Sequence, residues 1–302
     1  ATSINVRGAD PDQTMVLIDG VQLNDPASNT GGLDFGNLLV GDIARIEILR
    51  GAQSTLYGSE AIGGVINIVT AQPTKSGLSG DVQAEYGSLG TSLTKGGVGG
   101  KFDNWSFRVA GGYYTTNSVS AFDSRYGSTE TDPDHNAFFS GRANVNFTPT
   151  VQLDLRAYYT HSLADYDGYP PPNYVFADEA DFETVHQFID YSGLNFDLAG
   201  GRLKNRIDYQ YTLTDRADYL NTNPLIIQND AYSGANGRFE YQGTWAIFDG
   251  YQLVFGAQQE RSWMNGAPYA PAHADTADNS EYAQLQATPV KGLTITAGER
   301  HD

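Results

Sequence analysis

The chain has 302 residues, 40% of them hydrophobic and 12% aromatic, and a net charge of −18. Clustered Lys and Arg are lacking, which excludes nucleic acid as a partner, and the absence of cysteine excludes disulfides and thiolate metal sites. No run of about 18 apolar residues occurs, which excludes a spanning helix but not barrel strands, since these need only about 9–11 alternating residues.

In chain order, the run from Met15 to Asp19 is short, apolar and stopped by Asp-Gly, the pattern of a buried strand followed by a turn. Asn24-Asp-Pro-Ala-Ser-Asn-Thr-Gly-Gly32 is a loop, because Gly, Asn and Pro accept special dihedrals there. Leu38 to Ile48 opens with a helical turn and leads into the strand Arg45–Arg50. A second loop spans 51–60, and Gly63-Gly64 feeds another buried strand, Val65–Val69. These pieces predict a small mixed sheet with no room for a cavity of its own.

From Gly80 onward the pattern changes to sustained alternation. Phe139, Gly141, Ala143, Val145 and Phe147 share one face, and Ser140, Arg142, Asn144 and Asn146 the other. Val151, Leu153, Leu155, Ala157 and Tyr159 oppose Gln152, Asp154, Arg156, Tyr158 and Thr160. In 203–213 the apolar face is broken only by Asn205. Period two with the charges on one side describes a strand between lipid and a wet lumen. Short turns are predicted at 102–105, 148–150, 199–202, 248–251 and 290–292, and longer polar loops near 117–135, 164–182, 216–231 and 265–280. The strict alternation of short and long connections, broken only by a short outer turn near 87–91, is the outer-membrane arrangement. It yields about eleven strands, at 80–87, 91–102, 105–117, 136–148, 151–164, 183–199, 202–216, 232–247, 251–264, 280–290 and 293–302.

Val16-Leu-Ile-Asp-Gly-Val-Gln-Leu-Asn-Asp25, Ile46-Glu-Ile-Leu-Arg-Gly-Ala-Gln-Ser-Thr-Leu-Tyr-Gly58 and Ala61-Ile-Gly-Gly-Val-Ile-Asn-Ile-Val69, in this order, closely resemble the plug domain of TonB-dependent outer-membrane receptors. The resemblance implies a mainly β chain: a mixed α/β plug over 1–72, then over 73–302 the first half of a transmembrane β-barrel of about 22 strands. The family's energy-coupling box and first plug strand would precede Ala1, and further strands would follow Asp302, because an open half barrel leaves backbone groups unpaired in lipid. The linker at 71–78 marks the transition.

The resemblance also implies a function, TonB-dependent import of a scarce nutrient, and partners, namely TonB of the inner-membrane energy-coupling complex and outer-membrane lipid. The apical loops 23–35 and 51–60 would touch ligand, through Asn24, Asp25, Ser28, Asn29, Thr30, Gln53, Ser54 and Tyr57. Arg7, Glu47 and Arg50, charges beside apolar strands, would lock the plug to the barrel; the plain alternative is solvated edge charges. Ala157–Asp167 and Leu293–Asp302 look like the cobalamin receptors of the family. A ferric siderophore or haem receptor remains the alternative ligand class. The cobalamin branch orders its outer loops with calcium. Here Asp165, Asp167, Asp178 and Asp181 lie on one predicted loop and Asp215, Asp218 and Asp230 border the next; calcium needs six to eight oxygens, so carboxylates from these adjacent loops make a chemically reasonable cage, without a residue-by-residue match to the family's ligands. A solvated acidic loop is the alternative. No covalent cofactor and no catalytic residue are expected: the histidines show no paired metal spacing, and neither a Walker loop nor a Gly-x-Ser-x-Gly elbow occurs. An outer-membrane hydrolase and a soluble carbohydrate-binding or adhesin module are the competing classes, and the plug motifs argue against both.

Overall fold

The unbroken apolar runs and the alternating runs form two separate sheets in the computed structural model, which describes residues 4–6, 8–10, 13–23, 35, 42–51, 53–128, 131–170, 172–222, 225–267 and 273–302. The small sheet has strand order β2-β1-β4-β3, from β1 (Thr14–Ile18), β2 (Val21–Gln22), β3 (Ile43–Arg50) and β4 (Gly64–Thr70). Strands β1 and β4 run parallel in the middle, flanked by antiparallel β2 and β3. Both central strands are covered on both faces, which is why their sequences are continuously apolar rather than alternating. Met15, Leu17 and Val65 pack with Ala61 on one face; Val16, Ile18 and Ile68 point the other way, toward the large sheet.

Two backbone details hold this unit. The turn after β1 places Asp19 at φ 51 and Gly20 at φ 87, so the Asp-Gly pair supplies left-handed residues on demand. Gly64 sits at φ 147, where an added Cβ would fall 2.5 Å from the carbonyl oxygen of Leu49. One expectation is corrected here. The segment 51–60 is not all loop, because Ser54–Tyr57 forms one short helical turn, α1, ended by Gly58 at φ 94.

The large sheet is an antiparallel meander of eleven strands in sequence order. They are β5 (Gly77–Tyr86), β6 (Ser92–Lys101), β7 (Trp105–Thr116), β8 (Asp134–Thr148), β9 (Val151–Gly168), β10 (Ala177–Leu198), β11 (Leu203–Asn221), β12 (Ile226–Phe248), β13 (Tyr251–Ala267), β14 (His273–Val290) and β15 (Leu293–His301). The short turns fall where alternation predicts them. At the long-loop end the hairpins reach further than expected. β9 and β10 continue to Gly168 and from Ala177, and β11 and β12 to Asn221 and from Ile226. These extensions break the period-two pattern, with Tyr219 beside Leu220 and Ile226 beside Ile227, so alternation does not reveal them; cross-strand pairing does.

The sheet is inside out relative to a soluble protein. Phe139, Phe147, Leu155, Tyr159, Leu194, Tyr209, Phe239 and Ile295 are exposed on the outer face. Asn136, Ser140, Asp154, Thr160, Gln187, Asp208, Gln210, Thr212 and Glu240 are buried on the inner face. Asn205, the one break in an apolar face, is satisfied locally: its amide donates to the Phe196 carbonyl at 3.1 Å and accepts from the Tyr241 hydroxyl at 2.9 Å. Among the described residues no helix is long and apolar enough to cross a membrane. Replacing outward-facing Leu155 with Arg in the full-length protein is expected to cost roughly 2–4 kcal/mol near the bilayer midplane, measured by denaturant unfolding from lipid vesicles. An equal change of the inward-facing Thr212 would cost less in lipid transfer and would act instead on the contact with the small sheet.

Candidate functional site

Cross-strand register aligns one row of residues around the inner wall. Arg108 on β7 is directly opposite Arg142 on β8, which is opposite Arg156 on β9, and the row continues through Tyr191, Gln210, Arg238, Glu260 and Asp278. Like charges directly opposite one another destabilise a sheet, so the run of arginines requires partners, and the plug supplies them. The Arg108 guanidinium grips Asp42 through two hydrogen bonds of 2.7 and 2.6 Å, both side chains being about nine-tenths buried, and reaches Asp81 at 2.8 Å. Arg142 lies 3.6 Å from the Asp19 carboxylate. Arg156 donates to the Asp19 carbonyl oxygen, pairs with Asp154 and lies over the Tyr191 ring at 4.2 Å. Further round, Arg238 donates to the Gln22 side chain and Thr212 to the Gln22 carbonyl at 3.1 Å.

Asp19 is the centre of this arrangement. Its carboxylate also accepts from the Thr70 amide at 3.0 Å and the Thr70 hydroxyl at 2.5 Å. The same residue therefore closes the β1 turn, ties it to the end of β4 and faces two wall arginines. Between these charges lies an apolar patch on an otherwise polar wall: Ala110, Phe138, Tyr158, Ile189 and Tyr191 pack against Val16, Ile18, Val21, Leu23 and Ile68. Sequence reasoning missed both the arginine row and this patch. Tyr158 reads as one more member of the polar face, and only the register brings the arginines of three strands together.

Arg7, Asn24, Asp25, Ser28, Asn29 and Thr30 lie outside the described residues. Glu47 pairs with Arg45 at 2.7 Å and accepts from Asn67 at 3.1 Å, and these hydrogen bonds, that from Arg45 foremost, hold its carboxyl below the usual range. Arg50 is exposed, as is most of β3. Tyr57 packs on the apolar cluster of Met15, Leu17, Ala61 and Val65, and burial raises its phenol above the ordinary value. Gln53 precedes α1 and Ser54 begins it.

The acidic residues of the outer loops form two hydrogen-bonded groups, with Asp165 and Asp215 outside them. Asp167 is a loop organiser: it accepts from Ser120 Oγ at 2.8 Å and from the amides of Phe122 at 2.6 Å and Glu179 at 3.0 Å. Asp178 accepts from the same Ser120 at 3.3 Å, and Asp132 from the Ala121 amide at 2.9 Å. The second group holds Asp181, bonded to the Asn221 amide at 2.9 Å, and the cross-strand pair Asp218 and Asp230, with Tyr166 donating to Asp218 at 3.3 Å. Asp165 pairs in register with Phe182. Asp215 lies apart from both, bonded to Ser233 at 2.5 Å. Among the described residues no three His, Cys, Asp or Glu side chains are arranged to hold a metal ion. Burial, with Asp167 and Asp178 nearby, raises the Asp132 carboxyl above its ordinary value. Phe122, Phe176 and Tyr169 form an aromatic cluster beside these acids, with ring centres 5.8 and 5.2 Å apart.

The model of the TonB-dependent Receptor Plug Domain matches residues 1–65. The vitamin B12 transporter BtuB of Photobacterium profundum is 30% identical over 287 residues, covering 91% of this chain and 43% of that protein. BtuB of Vibrio vulnificus is 28% identical over 246 residues, covering 79% of this chain and 34% of its own length. The chain thus spans less than half the length of these relatives. Among solved structures, the siderophore receptor PirA from Pseudomonas aeruginosa superposes with TM-score 0.72 at 20% identity, over 98% of this chain and 49% of that one. The ferric yersiniabactin uptake receptor FyuA from Yersinia pestis gives TM-score 0.74 at 16% identity, over 98% and 48% respectively.

Breaking the buried Arg108–Asp42 pair is expected to be costly because one charge is left without its partner. Arg108→Ala in the full-length protein should lower stability by roughly 3–5 kcal/mol, and Asp42→Ala should act in the same direction. A double-mutant cycle by chemical denaturation checks the pair: the double variant should lose clearly less than the two single losses combined.

Proposed function

Because the chain belongs to the TonB-dependent outer-membrane receptors, a family of transporters and not of enzymes, we propose that the full-length protein imports cobalamin. The observation that supports cobalamin is the reach of the sequence likeness. It extends over 287 residues, well beyond the 65 of the plug, to a protein that is a vitamin B12 transporter. The second reading, a ferric siderophore, rests on likeness of fold at 20% identity or less.

In this reading ligand settles on the outer loops and on the plug apex, the segments 23–35 and 51–60, with Asn24, Asp25, Ser28, Asn29, Thr30, Gln53 and Ser54 as contacts. The loops that carry Ser120, Phe122 and Phe176 are pinned together through Asp167, so a rigid rim is ready before ligand arrives. Ligand must prefer a plug state that engages TonB, since equal affinity for both states shifts nothing. Pulling by the inner-membrane complex then frees a path past the plug. Arg7, Glu47 and Arg50 complete the lock against the remaining wall of the full-length barrel. Arg50→Ala should then lower the melting temperature of the full receptor, and unchanged melting would refute that role.

We extend the proposal to calcium in the outer loops. After burial, the charges of Asp167 and Asp178 raise the Asp132 carboxyl, and a divalent cation that drew these side chains together from their present separate hydrogen bonds would relieve that repulsion. The linkage has a definite sign. A carboxyl whose folded pKa is raised favours folding when protonated, and that stability is lost as pH rises through the raised value. Calcium should therefore raise the melting temperature at about pH 7.5, and the effect should fade as pH falls through the raised range of the Asp132 carboxyl. The same calcium should strengthen cyanocobalamin binding at neutral pH; equal affinity with and without chelator would remove calcium from the binding reading.

A further inference from the structure

Strand register brings together two of the five histidines that sequence spacing keeps apart. His161 on β9 is directly opposite His186 on β10, and their imidazoles stack with ring centres 4.2 Å apart and planes 19° from parallel. Both stand on the outer face, in a row that continues as Asp215, Ser233, Asn265 and His273 on β11 to β14. One step nearer the short turns on the same face, the residues of β9, β10 and β11 are Tyr159, Phe188 and Leu213. The pair therefore sits where the outer face changes from apolar to polar.

Each ring has a nitrogen suited to a further bond. His186 Nδ1 lies 2.8 Å from the Tyr159 hydroxyl, which leaves Nε2 for another partner. The His161 ring neighbours the Val185 backbone, yet its Nδ1 is buried with no hydrogen-bond partner. A buried nitrogen in that condition carries an unrecovered desolvation cost, and a cation bonded to its lone pair would remove it. The spacing is close to what coordination needs. Imidazole nitrogens bind metals at about 2.1 Å, which sets the centres of two ligating rings about 4.5–5 Å apart. A shift of less than about 1 Å from the stacked arrangement reaches that distance. Asp215, held by Ser233 at 2.5 Å, adds a carboxylate directly opposite His186. A groove of about 500 Å³ lined by His186, Asp215 and Ser233 gives an ion its approach.

We propose that His161 and His186 form a cross-strand site for one divalent first-row transition ion, zinc, copper or nickel, whose shared preference is for imidazole. The chain supplies two ligands, since among the described residues no third His, Cys, Asp or Glu converges on them, and water supplies the rest. Metal binding selects the tautomer in which His186 Nδ1–H donates to the Tyr159 oxygen, so Tyr159 orients the ligand without touching the ion. The ion clips β9 to β10 at the base of the hairpin in which Asp167 gathers its loop. The site is separate in place and chemistry from the calcium reading, with outward nitrogen ligands here and loop carboxylate oxygens there.

The test uses the full-length receptor in detergent, without a histidine tag and freed of metal by chelator. Copper(II) and zinc titrations should show one equivalent bound more tightly than any other. His161→Asn and His186→Asn should each weaken it by about tenfold or more, and Tyr159→Phe by about tenfold, whereas His273→Asn should leave it within about twofold. Electron spin-echo spectroscopy of the copper form should count two imidazoles in the parent and one in each variant of the pair. Excess calcium should not displace the ion. A readout on the unaltered protein guards against misfolded variants: one equivalent of zinc should slow diethylpyrocarbonate modification of His161 and His186 by about fivefold or more and leave His273 unchanged. Neither readout depends on which nutrient the receptor imports. Equal affinity in the parent and in the variant carrying both His161→Asn and His186→Asn, displacement by calcium, or modification rates unchanged by zinc would overturn the proposal.

Discussion

A strand that shows its apolar side to lipid has only polar side chains left for the inside, and whatever fills the inside must satisfy them. The arginines of β7, β8 and β9 are the sharpest case, since pairing places Arg108, Arg142 and Arg156 directly opposite one another. Their mutual repulsion is tolerable only with Asp42, Asp81, Asp154 and the Asp19 turn in place. Wall and plug are therefore not independent units that happen to touch. The wall's charge pattern presupposes an acidic plug beside it.

The plug is shaped by the same requirement. Its central strands are apolar on both faces, one for its own core and one for the patch on the wall. The Asp-Gly turn at its end adopts left-handed dihedrals that few residues accept, and so brings a carboxylate and a bare carbonyl to the arginines together. A local rule of turn chemistry thus becomes a docking contact between two sheets.

Away from this anchor the contact becomes polar, with Arg238 donating to the Gln22 side chain. The same register row that begins with three arginines ends with Glu260 and Asp278, so the wall's charge changes sign around the lumen. The outer loops show the converse economy: a few carboxylates, Asp167 foremost, tie neighbouring loops together through backbone amides.

Much was legible in the sequence. The plug strands, the turns at 102–105, 148–150, 199–202, 248–251 and 290–292, and the eleven alternating strands follow from patterns that are local in the chain. Such patterns depend on a residue's own few neighbours, and lipid on one side with water on the other imposes them strictly. What tertiary structure alone decided is whatever depends on partners distant in sequence. Register set Arg108, Arg142 and Arg156 in one row; folding-back set Asp19 and Asp42 against them; and cross-strand pairing carried β9 to β12 past the end of the alternating pattern. Likewise Asp167 and Asp178 share Ser120, while Asp218 and Asp230 face each other across a different strand pair. Composition can supply carboxylates to a loop, but only the path of the backbone decides which of them converge.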